Sequence, residues 1–336
     1  MINIGFVGAG DVAASHAQAV AEVRGGRLVA VTDIIPGRAK SLASQYGAAA
    51  VADLERLLRF PGLDVLYILT PPQFHTVQIK AAAEAGIPIM CEKPLTVSLA
   101  EADAALAACK EAGVPLMTGL SHRFHPLAAR AKELLVQGEL GQFVAAWSHR
   151  LITLPVSPDS WLNVLEVGGG LTLQYAMHDL DWECWLGGEV AQLSAHEMHT
   201  NPQLQIEDNL WALLQFRQGG SGTVGVSWSA PHSWTERGVI GSQGNLRIVE
   251  QKRLVGRLAN GRVLDEDLGD EYDWQDVFIR ESQDIVDKLK RGLPFSPSGE
   301  DGRRALEISL AVQRAAQTQQ MLSLPLSDTT NLGGDH

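Results

Sequence analysis

The sequence predicts an α/β protein of two domains, a doubly wound parallel sheet first and then an α+β domain with an antiparallel sheet. Three observations support this prediction. The 336 residues fit about two domains of ordinary size. Short apolar runs alternate with helical patterns through the first third of the chain, which is typical of βαβ units and a parallel sheet. From residue 190 onward, strand-like runs follow one another across glycine turns, which favours an antiparallel sheet.

The first domain is predicted to cover residues 1–121 and to alternate strands with helices. Its strand-like runs are apolar throughout, which is typical of strands that are buried on both faces of a sheet. The predicted strands cover residues 2–7, 27–32, 48–51, 65–69, 87–91 and 115–118. The predicted helices cover residues 11–23, 37–46, 53–59, 74–84 and 98–111.

The second domain is predicted to cover residues 122–330, with residues 331–336 as a loose tail. Its helical patterns cover residues 126–136, 171–186, 275–291 and 300–320. Its strand-like runs cover residues 142–152, 209–216, 223–229, 236–240 and 245–249. Because these strands are grouped rather than separated by helices, they indicate an α+β arrangement.

The composition argues against several classes of partner. Lys and Arg total 27 against 39 for Asp and Glu, so the formal net charge is −12. A diffuse negative charge opposes binding to nucleic acid and to anionic membranes, and no apolar run reaches the roughly 18 residues of a membrane span. The three cysteines form no CxxC pair and we find no leader pattern, so we expect a cytoplasmic protein. His196 and His199 do not form an HExxH pair, and we expect no metal site.

A glycine-rich turn follows the first predicted strand and opens the first helix. Gly8, Gly10 and Ala13 form the pattern GxGxxA. The first glycine permits a tight turn, the second lets the backbone approach a diphosphate, and the small Ala13 lets the helix pack on the strand. Together with Asp11 and Val12, this turn is a predicted dinucleotide site at a helix N-terminus. The alternative is a glycine-rich turn that binds no ligand.

Asp33 closes the second predicted strand at about 20 residues from the glycines, the spacing of a ribose-binding carboxylate. Such a carboxylate accepts hydrogen bonds from the ribose hydroxyls and repels a 2′-phosphate. It therefore favours NAD over NADP, while Arg38 nearby keeps NADP open. The alternative is that Asp33 only caps the end of the strand.

Lys93 follows the fifth predicted strand, within the segment Glu92-Lys93-Pro94. In an open parallel sheet the carboxyl ends of the strands face the ligand, so a lysine there can exchange a proton with a substrate. The alternative is a solvated surface lysine. Glu92 is either its salt-bridge partner or a contact to the nicotinamide ribose.

Taken together and in order, these motifs resemble the Gfo/Idh/MocA oxidoreductases, the family of glucose–fructose oxidoreductase and inositol dehydrogenase. The resemblance extends over essentially the whole chain. It rests on the glycine turn, Asp33, Thr70-Pro71-Pro72 with His75, Ala85-Gly86, Glu92-Lys93-Pro94, Arg123-Phe124 with Pro126, Gly138-Glu139-Leu140-Gly141, Gly168-Gly169-Gly170 with His178 and Asp181, and Glu300-Asp301 with Ala305-Leu306.

The resemblance implies an N-terminal Rossmann domain and a C-terminal domain with a large, mostly antiparallel sheet. It implies a nicotinamide cofactor and a substrate that is a sugar, a cyclic polyol or a related alcohol or ketone. Lys93 is then the residue that handles the hydroxyl proton, with His178 as its partner. The resemblance also places Thr70, Pro71, His75, Glu92 and Arg123 near the cofactor or the substrate.

Gln174, His178 and Asp181 are spaced so that a regular helix presents them on one face, and we interpret them as substrate contacts. The family resembled here often has Asp where this chain has Gln174. A glutamine can hydrogen-bond a sugar hydroxyl but cannot act as a base, so proton transfer is left to Lys93 and His178. Without the resemblance, a lone histidine on this helix would more often be a core histidine with its hydrogen bonds satisfied.

The expected reaction is hydride transfer between the substrate carbinol carbon and the nicotinamide, while the protein orients the groups and moves the proton. Trp161 is a candidate for stacking on the sugar, or else an anchor for its loop. Two other functions remain open: glycoside cleavage through transient oxidation, and a catalytically silent regulator that senses the cofactor. We expect a homodimer or homotetramer formed through the C-terminal sheet, because an open sheet face has to be covered.

Overall fold

A computed structural model describes residues 1–153, 163–164 and 169–326, which form two compact units. The first unit contains Met1–Phe124 and Asp273–Arg304, and the second contains His125–Tyr272 and the chain from Ala305 onward. Residues 273–304 were predicted to belong to the second domain, but they lie in the first unit. They join the first unit because their apolar side chains, among them Ile285 and Val286, complete the core of that unit.

The first unit is built on a six-stranded sheet in which all neighbouring strands are parallel, as predicted. The strand order is β3-β2-β1-β4-β5-β6. The strands are β1 (Ile2–Val7), β2 (Gly26–Thr32), β3 (Ala49–Ala50), β4 (Val65–Ile68), β5 (Ile89–Cys91) and β6 (Leu116–Thr118). The helices are α1 (Asp11–Glu22), α2 (Pro36–Gln45), α3 (Leu54–Leu58), α4 (His75–Glu84), α5 (Leu99–Ala112) and, from the later segment, α8 (Gln275–Arg291).

Burial explains why the strands of this sheet are continuously apolar. Every residue of β4 and of β5 is buried, since helices lie on both faces of a doubly wound sheet. In the order observed, β1 and β4 are neighbours at the centre, where the strand order reverses direction. Ligands of such sheets bind beyond the carboxyl ends of the strands at this reversal, which is where β1 leads into the glycine turn.

The second unit is built on a nine-stranded sheet with the order β14-β13-β12-β11-β7-β10-β9-β8-β15. Among the described strands of this sheet, only β7 and β10 pair in parallel, so the sheet is mostly antiparallel, as predicted. Its strands are β7 (Phe143–Thr153), β8 (Val190–Met198), β9 (Asn209–Phe216), β10 (Ser221–Ser227), β11 (Ser229–Gly241), β12 (Gly244–Val249), β13 (Arg253–Leu258), β14 (Val263–Asp267) and β15 (Leu322–Ser323).

Helices cover one face of this sheet. They are α6 (Pro126–Val136), α7 (Met177–Gly187) and the part of α9 (Gly299–Thr318) from Ala305 onward. Directly before α7, residues Thr172–Ala176 form a π-turn, so the predicted helix over 171–186 is present but is not regular. In the described part of the chain, no helix is long and apolar enough to cross a membrane.

Candidate active site

The turn between β1 and α1 contains Gly8 and Gly10, and the lack of a side chain matters for a different reason at each position. Gly8 has a φ of +99°, and a Cβ there would lie 2.5 Å from the carbonyl oxygen of Leu69, so only glycine fits. At Gly10 a Cβ would meet nothing within 4 Å in the chain. The space above Gly10, which directly precedes the first residue of α1, therefore suits the close approach of a ligand. The third position, Ala13, is fully buried against the strands.

Asp33 holds the glycine turn in place at the end of β2. Its Oδ2 accepts a hydrogen bond from the backbone N–H of Ala9 at 2.8 Å, and its Oδ1 accepts one from Ile35 at 2.7 Å. The carboxylate is half-buried and borders a surface groove. The groove is lined by Asp33, Pro36, Ala39, Lys40, Ala50, Val51, Ala52 and Arg56. Sequence reasoning did not find Lys40 and Arg56, which add positive charge beside Asp33, and Arg38 is exposed on α2.

Glu92 is buried beside Lys93 and is held by a residue of α1. His16 Nε2 lies 2.8 Å from Glu92 Oε1, and the backbone N–H of Lys93 donates to Glu92 Oε2 at 3.0 Å. Burial alone would raise the pKa of Glu92, but the hydrogen bond to His16 and the charge of Lys93 outweigh it and hold this pKa below its usual value. The side chain of Lys93 is half-buried.

His75 links two loops at the carboxyl edge of the sheet and is fully buried. One ring nitrogen lies 2.7 Å from the carbonyl oxygen of Thr70, and the other lies 3.0 Å from that of Pro94. Burial lowers the pKa of His75, while the carbonyl oxygens of Thr70, Leu95 and Pro94 oppose the shift. Thr70 donates its hydroxyl to Gln78, while Pro71 is exposed. His75 therefore fixes the loops on which these residues lie.

Arg123 forms an ion pair within the first unit. Its Nη1 and Nη2 both lie 3.3 Å from Oδ1 of Asp301, in the first turn of α9. The other oxygen of Asp301 accepts the backbone N–H of Ser298 at 2.9 Å. The structure thus joins two predicted motifs that are 178 residues apart.

In the second unit, the three polar residues singled out on the helical segment occupy different settings. Gln174 lies within the π-turn and is half-buried, whereas His178 and Asp181 lie on α7 and are buried. A π-turn has more residues per turn than an α-helix, so the regular spacing assumed from the sequence does not apply across Gln174. Trp161 lies outside the described residues.

Asp179, next to His178, is the centre of a buried polar cluster that the sequence did not reveal. Its carboxylate lies 2.7 Å from Arg150 Nη2 and 2.7 Å from Arg237 Nη2, and it accepts the Ser148 hydroxyl at 2.6 Å. Burial alone would raise the pKa of Asp179, but the two guanidinium groups outweigh it and lower the pKa. The cluster fastens α7 to β7 and β11.

A second carboxylate fastens the beginning of the same helical segment. Glu207 Oε1 accepts the backbone N–H of Thr172 at 3.2 Å, and a Cβ at Gly170 would lie 2.3 Å from that oxygen. Glu197 accepts the Thr172 hydroxyl at 2.7 Å. A carboxylate is favoured at a helix N-terminus, where backbone N–H groups lack partners.

The first unit therefore has the geometry of a dinucleotide-binding domain, with an open space over a helix N-terminus and a carboxylate at the end of the second strand. No cluster of three or more His, Cys, Asp or Glu side chains suited to a metal ion occurs among the residues that the structure describes. The turn, the helix N-terminus and the strand-end carboxylate define the class of Rossmann-type dinucleotide-binding folds.

Two protein-family models match this chain, and the first describes an NAD-binding Rossmann fold. Residues 2–120 match the family model described as "Oxidoreductase family, NAD-binding Rossmann fold", and residues 128–247 match the "GFO/IDH/MocA C-terminal domain". The chain belongs to the GFO/IDH/MocA family of oxidoreductases.

Similar proteins of known name include two inositol dehydrogenases. The scyllo-inositol 2-dehydrogenase (NAD(+)) of Bacillus subtilis (strain 168) is 32% identical over 257 residues, which cover 74% of this chain and 73% of that protein. The myo-inositol 2-dehydrogenase of Thermotoga maritima is 24% identical over 342 residues, covering 96% and 98%. A levoglucosan dehydrogenase solved with NADH and levoglucosan has the same fold, with a TM-score of 0.89, 22% identity, and coverage of 96% and 99%.

Proposed function

We propose that this protein is an NAD-dependent dehydrogenase that oxidises a CH–OH group of a sugar or cyclic polyol, or reduces the corresponding ketone. The observation that carries the proposal is the open space at Gly10, directly above the N-terminus of α1. Membership of the oxidoreductase family and the relatives that act on inositols support the class of substrate.

The residues present fit a nicotinamide dinucleotide. Backbone N–H groups at Gly10, Asp11 and Val12 would hold the diphosphate, and the space at Gly10 admits it without displacing a side chain. Asp33 would accept the ribose hydroxyls while it keeps its hydrogen bond from Ala9. Thr70, Pro71, Glu92 and Lys93 lie in loops at the carboxyl edge of the same sheet, with His75 supporting them. Gly8 shapes the turn. Arg38 would contact the 2′-phosphate if the cofactor were NADP.

The cofactor supplies hydride transfer when it is bound. The chain has to orient the substrate and accept the hydroxyl proton, and we assign that proton to Lys93 with His178. Lys93 would accept the proton as a neutral amine, and the Glu92 carboxylate beside it would stabilise the ammonium that results. Gln174, Asp181, Arg123 and Trp161 are assigned to substrate binding, with Gln174 as a neutral hydrogen-bonding group.

The outer face of the nine-stranded sheet supports the proposal that the protein is a homodimer or homotetramer. Trp211 and Trp234 are 42% and 41% exposed, and Leu213 is 46% exposed. The strand register places these side chains on one face, where Trp211 lies over Gly225. A flat aromatic surface of this kind favours contact with a second copy. We also propose a cytoplasmic location, because none of the three described cysteines forms a disulfide.

The test has two parts. Mass spectrometry of the purified protein identifies any nicotinamide that copurifies, and a panel of inositols and sugars is then screened for NADH formation at 340 nm. We expect bound or readily bound NAD and net NADH formation with at least one polyol. The Lys93→Met variant should lose turnover while its cofactor affinity stays nearly unchanged, and Lys80→Met, at an exposed position on α4, is the matched control.

Other outcomes of this test would overturn the proposal in distinct ways. Firmly retained cofactor with glycoside cleavage but no net NADH would identify transient oxidation. Cofactor binding without turnover on any substrate, with Lys93→Met indistinguishable from the parent, would identify a regulator. If the protein bound no dinucleotide, the glycine turn could not be the diphosphate-binding site, and the proposal would be wrong.

A further inference from the structure

We propose that Arg150 is a positioning residue that fixes Gln174 and His178 relative to each other by joining the π-turn to α7. This inference rests on the proposed function, because it concerns two residues assigned to that site. It depends only on contacts inside the second unit, all of which involve residues outside the glycine turn and the Lys93 segment.

Arg150 lies on β7, points to the covered face of the sheet and is 6% exposed. Its Nη2 donates to the carbonyl oxygen of Tyr175 at 2.5 Å and lies 2.7 Å from Oδ2 of Asp179. The guanidinium carbon is also 3.4 Å from the centre of the Tyr175 ring, so the two planar groups stack. One nitrogen therefore contacts two points of the helical segment that are four residues apart.

Those two points are the direct neighbours of the candidate site residues. Tyr175 follows Gln174 in the π-turn, and Asp179 follows His178 in α7. Because backbone geometry sets the direction of a side chain, a contact that fixes residue 175 and residue 179 also fixes where Gln174 and His178 point.

The π-turn explains why an additional contact is needed there. A π-turn interrupts the regular pattern of hydrogen bonds between residues four apart, and such interruptions are frequent at functional sites. A backbone carbonyl group at such an interruption loses its regular partner within the helix, so a hydrogen-bond donor from another element stabilises it. Arg150 supplies that donor to Tyr175, and its charge is balanced by Asp179.

Arginine is suited to this task in a way that lysine is not. The planar guanidinium can stack on the Tyr175 ring and direct N–H groups to a carbonyl and a carboxylate at once. Arg237 is a suitable control for Arg150. It is also buried, and it lies 2.7 Å from the other oxygen of the same Asp179. It also donates to the Ser148 hydroxyl at 2.9 Å.

The experiment compares Arg150→Met with Arg237→Met. Both variants remove one buried guanidinium from Asp179, so both should lower the melting temperature to a similar extent. If Arg150 positions the site, kcat should fall roughly 100-fold in Arg150→Met, the scale expected for a misplaced group, and less than 10-fold in Arg237→Met. The Kd for NADH should stay unchanged in both, since the first unit is untouched.

A second readout does not need turnover. Hydrogen–deuterium exchange of peptides covering residues 171–178 should be faster in Arg150→Met than in Arg237→Met. Arg150→Lys is the variant to use if Arg150→Met does not fold, because it keeps a positive charge beside Asp179. It should show a smaller fall in kcat and the same faster exchange, because stacking on Tyr175 is lost.

The inference is wrong if Arg150→Met and Arg237→Met lose kcat equally and exchange equally across residues 171–178. That result would leave the proposed function standing, provided that the parent protein forms NADH. If the parent protein forms no NADH with any polyol, the proposed function fails, and the exchange measurement still decides whether Arg150 holds the π-turn.

Discussion

His16 and Glu92 are 76 positions apart in the chain, yet Nε2 of His16 lies 2.8 Å from Oε1 of Glu92 inside the first unit. His16 is fully buried, and its ring also contacts Tyr67 and Phe278 edge-on, at 5.7 and 5.0 Å between ring centres. The first helix after the glycine turn thus fixes the carboxylate that stands next to Lys93. The helix that follows the glycine turn therefore also supports the segment that contains Lys93, the predicted proton-transfer residue.

Replacing His16 by leucine should destabilise the protein by about 1–3 kcal/mol at pH 7, because the buried carboxylate of Glu92 loses a hydrogen bond. The pKa of Glu92 is depressed in the folded state, so its contribution is present above the unfolded pKa and is lost as pH falls through the folded pKa. Urea unfolding should therefore show a smaller difference between parent and variant at pH 3.5 than at pH 7. Gln18→Leu, at an exposed position on α1, is the control, and a pH-independent difference would contradict the argument.

Much of the fold was predictable because its signals are local. The alternation of apolar runs with helical patterns predicted a parallel sheet, and six parallel strands are present. Grouped strands with glycine turns predicted the mostly antiparallel second sheet. The individual strand runs predicted from the sequence did not include β8, β13, β14 or β15, because few of their residues are buried and the apolar pattern is weak.

The parts that could not be predicted depend on contacts between distant positions. Nothing in the residues around Arg150 indicates that it meets Asp179, because a single arginine on a strand has no periodic signature. The same holds for α8, whose strongly amphipathic sequence predicted a helix but not which core it would complete. The π-turn at residues 172–176 also has no composition that marks it in advance.

Replacing Asp33 by asparagine should weaken NAD binding and reduce the preference for NAD over NADP, each by roughly 10-fold, which is about 1.4 kcal/mol. The variant removes the charge that repels a 2′-phosphate, while one amide oxygen can still accept the N–H of Ala9. Lys40 and Arg56 in the adjoining groove would then favour the added phosphate. The measurement is the Kd for NADH and for NADPH by fluorescence titration.

The control for Asp33 is Asp64→Asn. Asp64 also accepts a backbone N–H in the first unit, that of Asn3 at 2.7 Å. An Asp33→Asn protein whose ratio of the two dissociation constants matches that of Asp64→Asn would show that Asp33 does not contact the ribose.

Replacing Glu183 by glutamine should stabilise the protein at alkaline pH. Glu183 is fully buried, its carboxyl oxygens have no hydrogen-bond partner among the described residues, and burial raises its pKa well above the usual value. A raised pKa means that the carboxyl group favours folding below the unfolded pKa, about 4.3, and that this contribution is lost as pH rises through the folded pKa. The gain in unfolding free energy for Glu183→Gln over the parent should therefore be larger at pH 8 than at pH 5.

Glu22→Gln, at an exposed position on α1, should change stability equally at both pH values. If Glu183→Gln were destabilised more at pH 8 than at pH 5, the buried carboxyl would have to be ionised and paired in the folded protein.

Glu197 and Glu207 are two neighbouring carboxyl groups whose raised pKa values predict a pH-dependent stability. Burial, followed by the charge of Glu207, raises the pKa of Glu197 from 4.5 to about 7, while the Thr172 hydroxyl opposes the shift. Burial also raises the pKa of Glu207, against hydrogen bonds from backbone N–H groups and the charge of His199. Both carboxyl groups contact the N-terminal end of the helical segment that carries Gln174.

Glu197→Gln keeps an oxygen that can accept the Thr172 hydroxyl but removes the charge that opposes Glu207. Since the folded pKa of Glu197 is raised, its stabilising contribution is complete below about 4.5 and is lost as pH rises through about 7. The parent protein should therefore lose unfolding free energy between pH 5 and pH 8, and Glu197→Gln should lose less. Urea unfolding of both proteins at pH 5, 6, 7 and 8 measures this, with the exposed Glu84→Gln as control. Parallel curves for parent, Glu197→Gln and Glu84→Gln would mean that Glu197 is ionised throughout this range, and that its contact with Thr172 does not depend on a proton.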